Sequence, residues 1–185
     1  MTHQESALIP KNIILVGFMG TGKSTIARVL QQRLGYPVVE MDQILEKRAG
    51  KPISRIFEED GEEKFREMES GLLGELDDPT GGTRIISTGG GIVVRPENRA
   101  ILPRLGYVVW LKVPVEVILA RTAQSKHRPL LQTENPEERI RALMELRNPM
   151  YEVVSHLALE TADLDSDEIA SGILECARYH FAQMA

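Results

Sequence analysis

The sequence predicts an α/β fold in which a mostly parallel sheet is covered by helices on both faces. Short β-branched runs alternate with segments of helical periodicity, and the first run ends in a glycine-rich turn. Parallel strands need crossover connections, and these usually contain helices that pack against the sheet. The chain has 185 residues, 42% hydrophobic and 26% charged, which is typical of one globular domain with a sizeable core.

The strands are predicted from short apolar runs. NIILV at 12–16 is continuous, β-branched and followed by Gly17, as expected for a buried parallel strand. YPVVEMD at 36–42 predicts a second strand, and RIISTGGG at 84–91 predicts a strand that leads into a glycine loop. YVVWLKV at 107–113 and HLALE at 156–160 predict two more strands.

The helices are predicted from 3.6-residue periodicity and from capping residues. Apolar residues at 26, 27, 30 and 34 predict a helix that ends at Gly35. Asp60, with Glu63 three positions later, predicts the capped start of a helix over 60–76.

Two further helices are predicted later in the chain. Asn135 and Pro136 predict the start of a helix that ends before Pro149. A last helix is predicted over 165–183, with Cys176 packed on it as a small inert residue.

Composition excludes several classes of function. The net charge of −5 argues against an overall basic surface for nucleic acid, and the single cysteine excludes an intramolecular disulfide. No segment resembles a secretory signal or reaches the roughly 20 apolar residues of a membrane span. We therefore expect a cytoplasmic protein that binds neither membranes nor nucleic acid, with residues 1–10 flexible. As a separate expectation, we predict a monomer.

The stretch GFMGTGKS at 17–24 fits the phosphate-binding P-loop pattern through Gly17, Gly22, Lys23 and Ser24. It lies between a predicted strand and a predicted helix, as that motif requires. Backbone N–H groups and the helix N-terminus would bind phosphate, Lys23 would reach the β- and γ-phosphates, and Ser24 would ligate Mg²⁺. The alternative is a chance match in a glycine-rich turn.

Two acidic residues end the second predicted strand. Glu40 and Asp42 fall at the carboxyl edge of the sheet, where open α/β folds bind their ligands. A carboxylate there could accept a proton from an alcohol or hold Mg²⁺. Alternatively, Asp42 could simply cap the helical segment that follows it.

Arginines and glycines mark other parts of the predicted site. Arg66 is flanked by acidic residues at helical spacing, so it could belong to a solvated ion-pair stripe or bind a ligand. Gly89, Gly90 and Gly91 suit close backbone approach to a ligand, with a flexible turn as the alternative.

Two more arginines lie later in the chain. Arg128 lies in a polar, proline-containing segment that is typical of a lid, and Arg147 lies near a predicted helix end. Arg128 could be one more exposed basic residue, and Arg147 could compensate the helix dipole. Arginine forks bind carboxylates and phosphates bidentately, so together the arginines indicate an anionic ligand.

With these motifs in order, the chain resembles the shikimate kinase family over nearly its whole length. GFMGTGKST is similar to the family's P-loop, and the stretch from Val39 to Ser70 resembles its shikimate-binding segment. STGGG is similar to the family's glycine loop, HRPLL to its lid motif and LRNPMY to its substrate-arginine motif. The resemblance implies one P-loop NTPase domain over 1–185 with a five-stranded parallel sheet. It also implies a substrate-binding segment at about 40–76 and a lid at about 122–134.

The resemblance also implies phosphorylation of the 3-hydroxyl of shikimate by ATP with Mg²⁺, in chorismate and aromatic amino acid synthesis. It assigns the phosphate and ATP contacts to Gly20, Thr21, Gly22, Lys23, Ser24, Thr25, Arg121 and Arg128. It assigns shikimate binding to Asp42, Arg66, Gly89, Gly90, Gly91 and Arg147, with Asp42 as the base and Lys23 and Arg128 as the other catalytic groups. Residues 161–165 would form another wall of the adenine site.

One position departs from the family pattern. The family usually has Asp-x-Asp where this chain has Glu40-Met41-Asp42. The first acid of that pattern helps to hold magnesium through water, and Glu40 keeps its charge on a longer side chain. A kinase of another small acid or polyol such as gluconate, a nucleoside monophosphate kinase and a non-catalytic nucleotide-binding module remain alternatives.

Overall fold

The computed structural model of the chain describes residues 12–122 and 135–183. They form a parallel sheet of five strands in the order β2-β3-β1-β4-β5. The strands are β1 Asn12–Val16, β2 Val38–Glu40, β3 Arg84–Ser87, β4 Tyr107–Lys112 and β5 Leu157–Glu160. The predicted α/β fold with a five-stranded parallel sheet is confirmed.

Eight helices connect or flank these strands within the described ranges. They are α1 Lys23–Leu34, α2 Met41–Ala49, α3 Ile53–Glu59, α4 Gly61–Leu76, α5 Pro96–Leu105, α6 Val115–Thr122, α7 Pro136–Val154 and α8 Ser166–Ala182. Helix α1 ends at Gly35 in the left-handed conformation (φ 71°), as predicted. Helix α8 begins with a capping box between Asp165 and Glu168.

The sheet separates two hydrophobic cores because alternate side chains of each strand point to opposite faces. On one face, Ile13 and Leu15 of β1 pack with α1 and α8. On the other face, Ile14 and Val16 pack with α2, α3, α4, α5 and α7. All five residues of β1 are buried, as the continuous apolar run predicts for a central strand covered on both sides.

The strand order brings the predicted functional segments to one edge of the sheet. β1 lies between β3 and β4, and the P-loop leaves its carboxyl end. Glu40 at the end of β2 is paired in register with Ser87 at the end of β3. Because every strand is parallel, the turns after β1, β2 and β3 all open on this edge.

Some predicted boundaries near the site are wrong. β2 ends at Glu40, and Asp42 lies in the first turn of α2 instead of on the strand. Asp60 is the N-cap residue of α4, as predicted, but its side chain makes no capping hydrogen bond and instead forms an ion pair with Lys51 at 2.6 Å.

Helix α7 does not end before Pro149 but continues to Val154. Proline costs about 3 kcal/mol inside a helix. The burial of Tyr151 and Val154 beyond it offsets much of that cost, since a fully buried apolar side chain contributes about 1.5–3 kcal/mol. Arg147 therefore lies well inside the helix, so compensation of the helix dipole at its end does not explain this residue.

Two remaining predictions concern the single cysteine and membrane-spanning segments. Cys176 on α8 is exposed and not packed as predicted. No helix in the described ranges is both long and apolar enough to cross a bilayer.

Candidate active site

A cleft of about 500 Å³ opens at the carboxyl edge of the sheet. On one side it is lined by the predicted nucleotide-binding residues Gly20, Gly22, Lys23, Ser24, Thr25 and Arg121. On the other side it is lined by the predicted acceptor-binding residues Asp42, Arg66, Gly89, Gly90, Gly91 and Arg147. Glu40 also lines it, Thr21 lines an adjoining cavity of about 200 Å³, and Arg128 lies outside the described residues.

The P-loop depends on glycine at positions where other residues would be strained. Gly17, Gly20 and Gly22 have φ of 141°, 81° and 95°. A Cβ on Gly17 would lie 2.5 Å from the backbone oxygen of Leu111, so the end of β4 leaves no room for a side chain there. Lys23 Nζ donates to the carbonyl oxygens of Gly17 and Phe18 at 2.8 and 2.9 Å, which holds the ammonium group against the loop.

Ser24 and Glu40 form a polar pair between the P-loop helix and the end of β2. Ser24 Oγ donates to Glu40 Oε2 at 2.9 Å and lies 3.5 Å from Ser87 Oγ. Glu40 Oε1 is buried and has no hydrogen-bond partner among the described residues. A serine hydroxyl that donates its proton keeps its lone pairs. The pair therefore offers oxygen ligands, directly or through water, of the kind that Mg²⁺ prefers.

Protein side chains alone do not complete a metal site here. Residues 12–122 and 135–183 contain no group of three or more His, Cys, Asp or Glu side chains that could hold a metal ion. A cation at Ser24 and Glu40 would therefore need further oxygen ligands from water or from a bound nucleotide. This is the usual arrangement for Mg²⁺ in phosphoryl-transfer sites.

Asp42 faces the open cleft from the first turn of α2. Although the residue remains in contact with solvent, desolvation by the cleft walls raises its pKa, and the charges of Glu46 and Glu40 act in the same direction. Lys23 and Arg66 oppose that shift by attracting the carboxylate. A Cβ on Gly89 would lie 2.8 Å from Asp42 Oδ1, so the first glycine of the loop makes room for this group.

Arg66 is buried, with only 5% of its side chain exposed, and forms two ion pairs. It donates from Nη1 to Glu69 Oε2 at 2.8 Å and from Nη2 to Glu62 Oε1 at 3.0 Å. The sequence therefore predicted both ion-pair partners, and Glu62 is solvated as expected, but Arg66 and Glu69 are buried. A Cβ on Gly91 would overlap Arg66 Nη1, so this glycine also creates space for the site.

The fully buried Glu69 is the main counter-charge of Arg66. Burial opposes the charge on Arg66, but attraction and hydrogen bonding by Glu69 and Glu62 exceed that effect and raise its pKa. Burial raises the pKa of Glu69 itself, against the attraction of Arg66. The arginine is thus held in one place by a carboxylate that gains little stabilisation from water.

Arg147 reaches the cleft from α7 and is 3% exposed. Its Nη1 donates to the carbonyl oxygen of Gly90 at 3.2 Å, and its guanidinium carbon lies 5.7 Å from the centre of the Phe18 ring. Burial lowers its pKa, yet arginine remains charged in proteins. Arg66 is paired with Glu69 and Glu62, whereas Arg147 forms no ion pair with the other described residues, which favours binding of an anion here.

Arg121 lies at the junction of the two cavities. Its Nη1 donates to the carbonyl oxygen of Gly20 at 3.0 Å, and its side chain lines both spaces. Thr161 and Leu164, from the segment predicted as an adenine wall, line the smaller cavity. A contact of Arg121 with a nucleotide base stays a prediction.

Several residues of the cleft were not predicted as site residues. Phe57 and Phe65 line it, and their ring centres lie 5.9 and 5.2 Å from the Arg66 guanidinium. Phe57 belongs to α3, a short helix without a clear sequence signal. Glu69 was visible as an i+3 neighbour of Arg66, but nothing in a single sequence distinguishes a buried pair from an exposed one.

We predict different effects of removing the two charges that contact Arg66. Glu69→Gln leaves a buried cation poorly compensated and should lower the free energy of unfolding by roughly 3–5 kcal/mol. Glu62→Gln, a matched change on the exposed side of the same arginine, should cost about 1 kcal/mol or less. Urea denaturation measures both, and equal losses would contradict the assigned role of Glu69.

Comparison with known proteins agrees with this geometry. The family model described as "Shikimate kinase" matches residues 19–178. A shikimate kinase from Thioalkalivibrio sulfidiphilus is 48% identical over 169 residues, covering 91% of this chain and 86% of the relative. The structure of shikimate kinase from Acinetobacter baumannii in complex with shikimate superposes with a TM-score of 0.89 at 39% identity, covering 96% of this chain and 97% of that one.

A more distant structure bears on the gluconate alternative. A gluconokinase from Sinorhizobium meliloti superposes with a TM-score of 0.54 at 18% identity, covering 94% of this chain and 93% of that one. At that identity the likeness extends to the fold alone. The match to the family model, the high identity over most of the chain and the close superposition agree with each other, and the chain belongs to the shikimate kinase family.

Proposed function

We propose that this protein transfers the γ-phosphoryl group of ATP to the 3-hydroxyl of shikimate, forming 3-phosphoshikimate for chorismate and aromatic amino acid synthesis. The observation that carries the proposal is the meeting of a P-loop, a carboxylate and two buried arginines in one cleft. The close relatives are named for this activity. Shikimate has one carboxylate and three hydroxyl groups, which match an anion subsite beside a carboxylate base.

The nucleotide side of the cleft supplies charge neutralisation. The P-loop amides and the start of α1 would bind the phosphates, with Lys23 moving from its loop carbonyls to the β- and γ-phosphates. Arg121, held at Gly20, would lie along the adenine. Arg128, assigned by family resemblance, would add positive charge at the transferring group.

Ser24 and Glu40 fit a magnesium site. These two residues would hold Mg²⁺, which would supply positive charge to neutralise the phosphates. Ser24 would offer its oxygen, while Glu40 accepts the hydroxyl proton and offers its unpartnered Oε1 to water around the cation. The longer side chain of glutamate fits this role because it reaches Ser24 from the end of β2.

The acceptor side of the cleft supplies orientation and a base. Arg66 and Arg147 would hold the shikimate carboxylate, and the loop from Gly89 to Gly91 would lie beside the ring. Asp42 would accept the proton of the 3-hydroxyl while the 3-oxygen of shikimate bonds to the γ-phosphorus. The bond between the γ-phosphorus and the β-phosphate oxygen breaks, and ADP leaves. Phosphoryl transfer needs mainly alignment and charge stabilisation, which these groups supply.

The remaining alternatives fit the cleft less well. A kinase of an uncharged polyol does not require two buried arginines in the acceptor subsite, and the gluconokinase is only 18% identical whereas the shikimate kinases are 48% and 39% identical. A non-catalytic module does not require Asp42 beside them. The single cysteine fits a reducing, cytoplasmic location, and the monomeric state stays a prediction.

We predict that the two arginines act on the shikimate KM and Asp42 acts on kcat. Arg66→Lys or Arg147→Lys should raise the shikimate KM roughly 10- to 100-fold with little change for ATP, because lysine cannot form the planar fork. Asp42→Asn should lower kcat roughly 10²- to 10⁴-fold with a smaller effect on KM. Steady-state kinetics with shikimate and its methyl ester measure both effects. Parent-like KM values in both lysine variants, or equal use of the ester, would refute the carboxylate clamp.

We predict that Glu40 sets the magnesium requirement. Glu40→Gln keeps the shape but removes the charge, so half-maximal activity should need more Mg²⁺. Glu40→Asp should have a mild effect because the charge remains. Magnesium titrations at fixed ATP compare the three proteins. Superimposable curves for the parent and Glu40→Gln would show that Glu40 is structural.

We predict an acid limb in the pH profile that depends on Asp42. As pH falls through the raised pKa of Asp42, the base becomes protonated and kcat should fall. Glu46→Gln removes a charge that raises this pKa, so the acid limb should move to lower pH. The fold near this position should be kept, because the new amide oxygen can still accept the bond that Ile53 N–H donates to Glu46 Oε1 at 2.9 Å.

The matched control for this pH profile is Glu75→Gln, which changes an exposed carboxylate paired with Arg48. That variant should keep the parent profile. An acid limb that does not move in Glu46→Gln would contradict the assignment of the base.

A further inference from the structure

The backbone of Gly90 is packed between the P-loop and helix α7. A Cβ at Gly90 would lie 3.1 Å from the backbone nitrogen of Met19 and 3.5 Å from the carbonyl carbon of Phe18. On its other side, the Gly90 carbonyl oxygen accepts hydrogen bonds from two side chains of α7. This one peptide therefore contacts both the phosphate-binding loop and the helix that carries Arg147.

Tyr151 is the second donor to that carbonyl. Its hydroxyl donates to the Gly90 oxygen, its side chain is completely buried, and its ring stacks on Trp110 with 5.6 Å between ring centres. Burial raises the pKa of this hydroxyl far above its ordinary value, so it stays protonated and remains a donor. Because the ring is fixed by the core, the hydroxyl is a rigid point of attachment for Gly90.

Arg147 and Tyr151 are one helical turn apart, so their side chains leave the same face of α7. Arg147 Nη1 lies 3.2 Å from the Gly90 oxygen, and Arg147 Nε is buried without a hydrogen-bond partner among the described residues. Arg147 also interacts with the Tyr151 hydroxyl itself, so the Gly90 carbonyl and this hydroxyl together orient the guanidinium. A displacement of the Gly90 carbonyl would therefore tilt the arginine fork.

We infer that Tyr151 is a positioning residue for substrate recognition. The Tyr151 hydroxyl holds the Gly90 carbonyl in the position from which that carbonyl orients Arg147. Through Arg147, the hydroxyl sets the angle of the bond to the shikimate carboxylate. The inference rests on the proposed function, because it requires Arg147 to bind that carboxylate. Tyr151 itself need not touch the substrate.

The test is Tyr151→Phe, which removes one oxygen atom and keeps the ring that stacks on Trp110. Loss of one hydrogen bond predicts a rise of roughly 2- to 10-fold in the shikimate KM and Kd. The KM for ATP and kcat should stay within about twofold of the parent, because the groups that bind ATP and accept the proton keep their positions. Shikimate Kd values come from isothermal titration calorimetry, and thermal unfolding confirms that the variant is folded.

The matched control is Tyr107→Phe. Tyr107 is also a buried tyrosine, 2% exposed, but it lies at the amino end of β4, away from the cleft. The same atom is removed from a buried tyrosine in both variants, and thermal unfolding of each variant measures its own loss of stability. The shikimate KM of Tyr107→Phe should equal that of the parent.

A double-mutant cycle shows whether Tyr151 acts through Arg147. In an Arg147→Lys background, Tyr151→Phe should produce little further loss of shikimate affinity, because the fork that it positions is already gone. A loss of the same size in both backgrounds would overturn the inference, as would a Tyr151→Phe variant that behaves like Tyr107→Phe. A parent-like KM in Arg147→Lys alone would instead refute the carboxylate clamp, and the inference would fall with it.

Discussion

Two buried arginines with one buried carboxylate form the constraint on which the candidate site depends. Arg66 and Arg147 are 5% and 3% exposed, and Glu69 beside them is fully buried. Arg66 is already paired with Glu69 and Glu62, but Arg147 forms no ion pair with the other described residues, so an anionic ligand in the cleft would compensate its charge. Arg66 from α4 and Arg147 from α7 both reach the glycine loop, at Gly91 and Gly90 respectively. A Cβ at Gly91 would overlap the Arg66 guanidinium, so a side chain there would displace this arginine.

The parallel sheet places this acid-binding region next to the phosphate-binding region. The P-loop, Glu40 and the glycine loop all follow the carboxyl ends of adjacent strands, so one cleft contains both sides of the proposed reaction. The Phe18 ring of the P-loop faces the Arg147 guanidinium, and Gly90 lies close to the backbone of Phe18 and Met19. A shift of the P-loop on nucleotide binding would therefore displace Arg147 directly. The proposed role of Tyr151 extends this arrangement into the hydrophobic core beneath the cleft.

The sequence predicts the strands, the P-loop and most site residues because their signals are local. NIILV followed by glycines, and GKS before a helix, depend only on neighbouring residues. Tertiary effects explain most of the differences. Helix α7 continues through Pro149 because distant side chains bury Tyr151, and Asp60 contacts Lys51 in place of the helix it precedes. Glu69 and Tyr151 escaped prediction because burial and a shared backbone acceptor arise only when separate segments meet.

The central claim is that this cleft phosphorylates shikimate at its 3-hydroxyl and recognises the acid group. The most direct measurement is ADP release with shikimate, quinate, gluconate and nucleoside monophosphates as acceptors, followed by NMR assignment of the phosphorylated oxygen. We expect shikimate to give the highest kcat/KM by a wide margin and a single product phosphorylated at the 3-oxygen. Faster turnover of gluconate or of a nucleoside monophosphate, or phosphate on another oxygen of shikimate, would contradict the account.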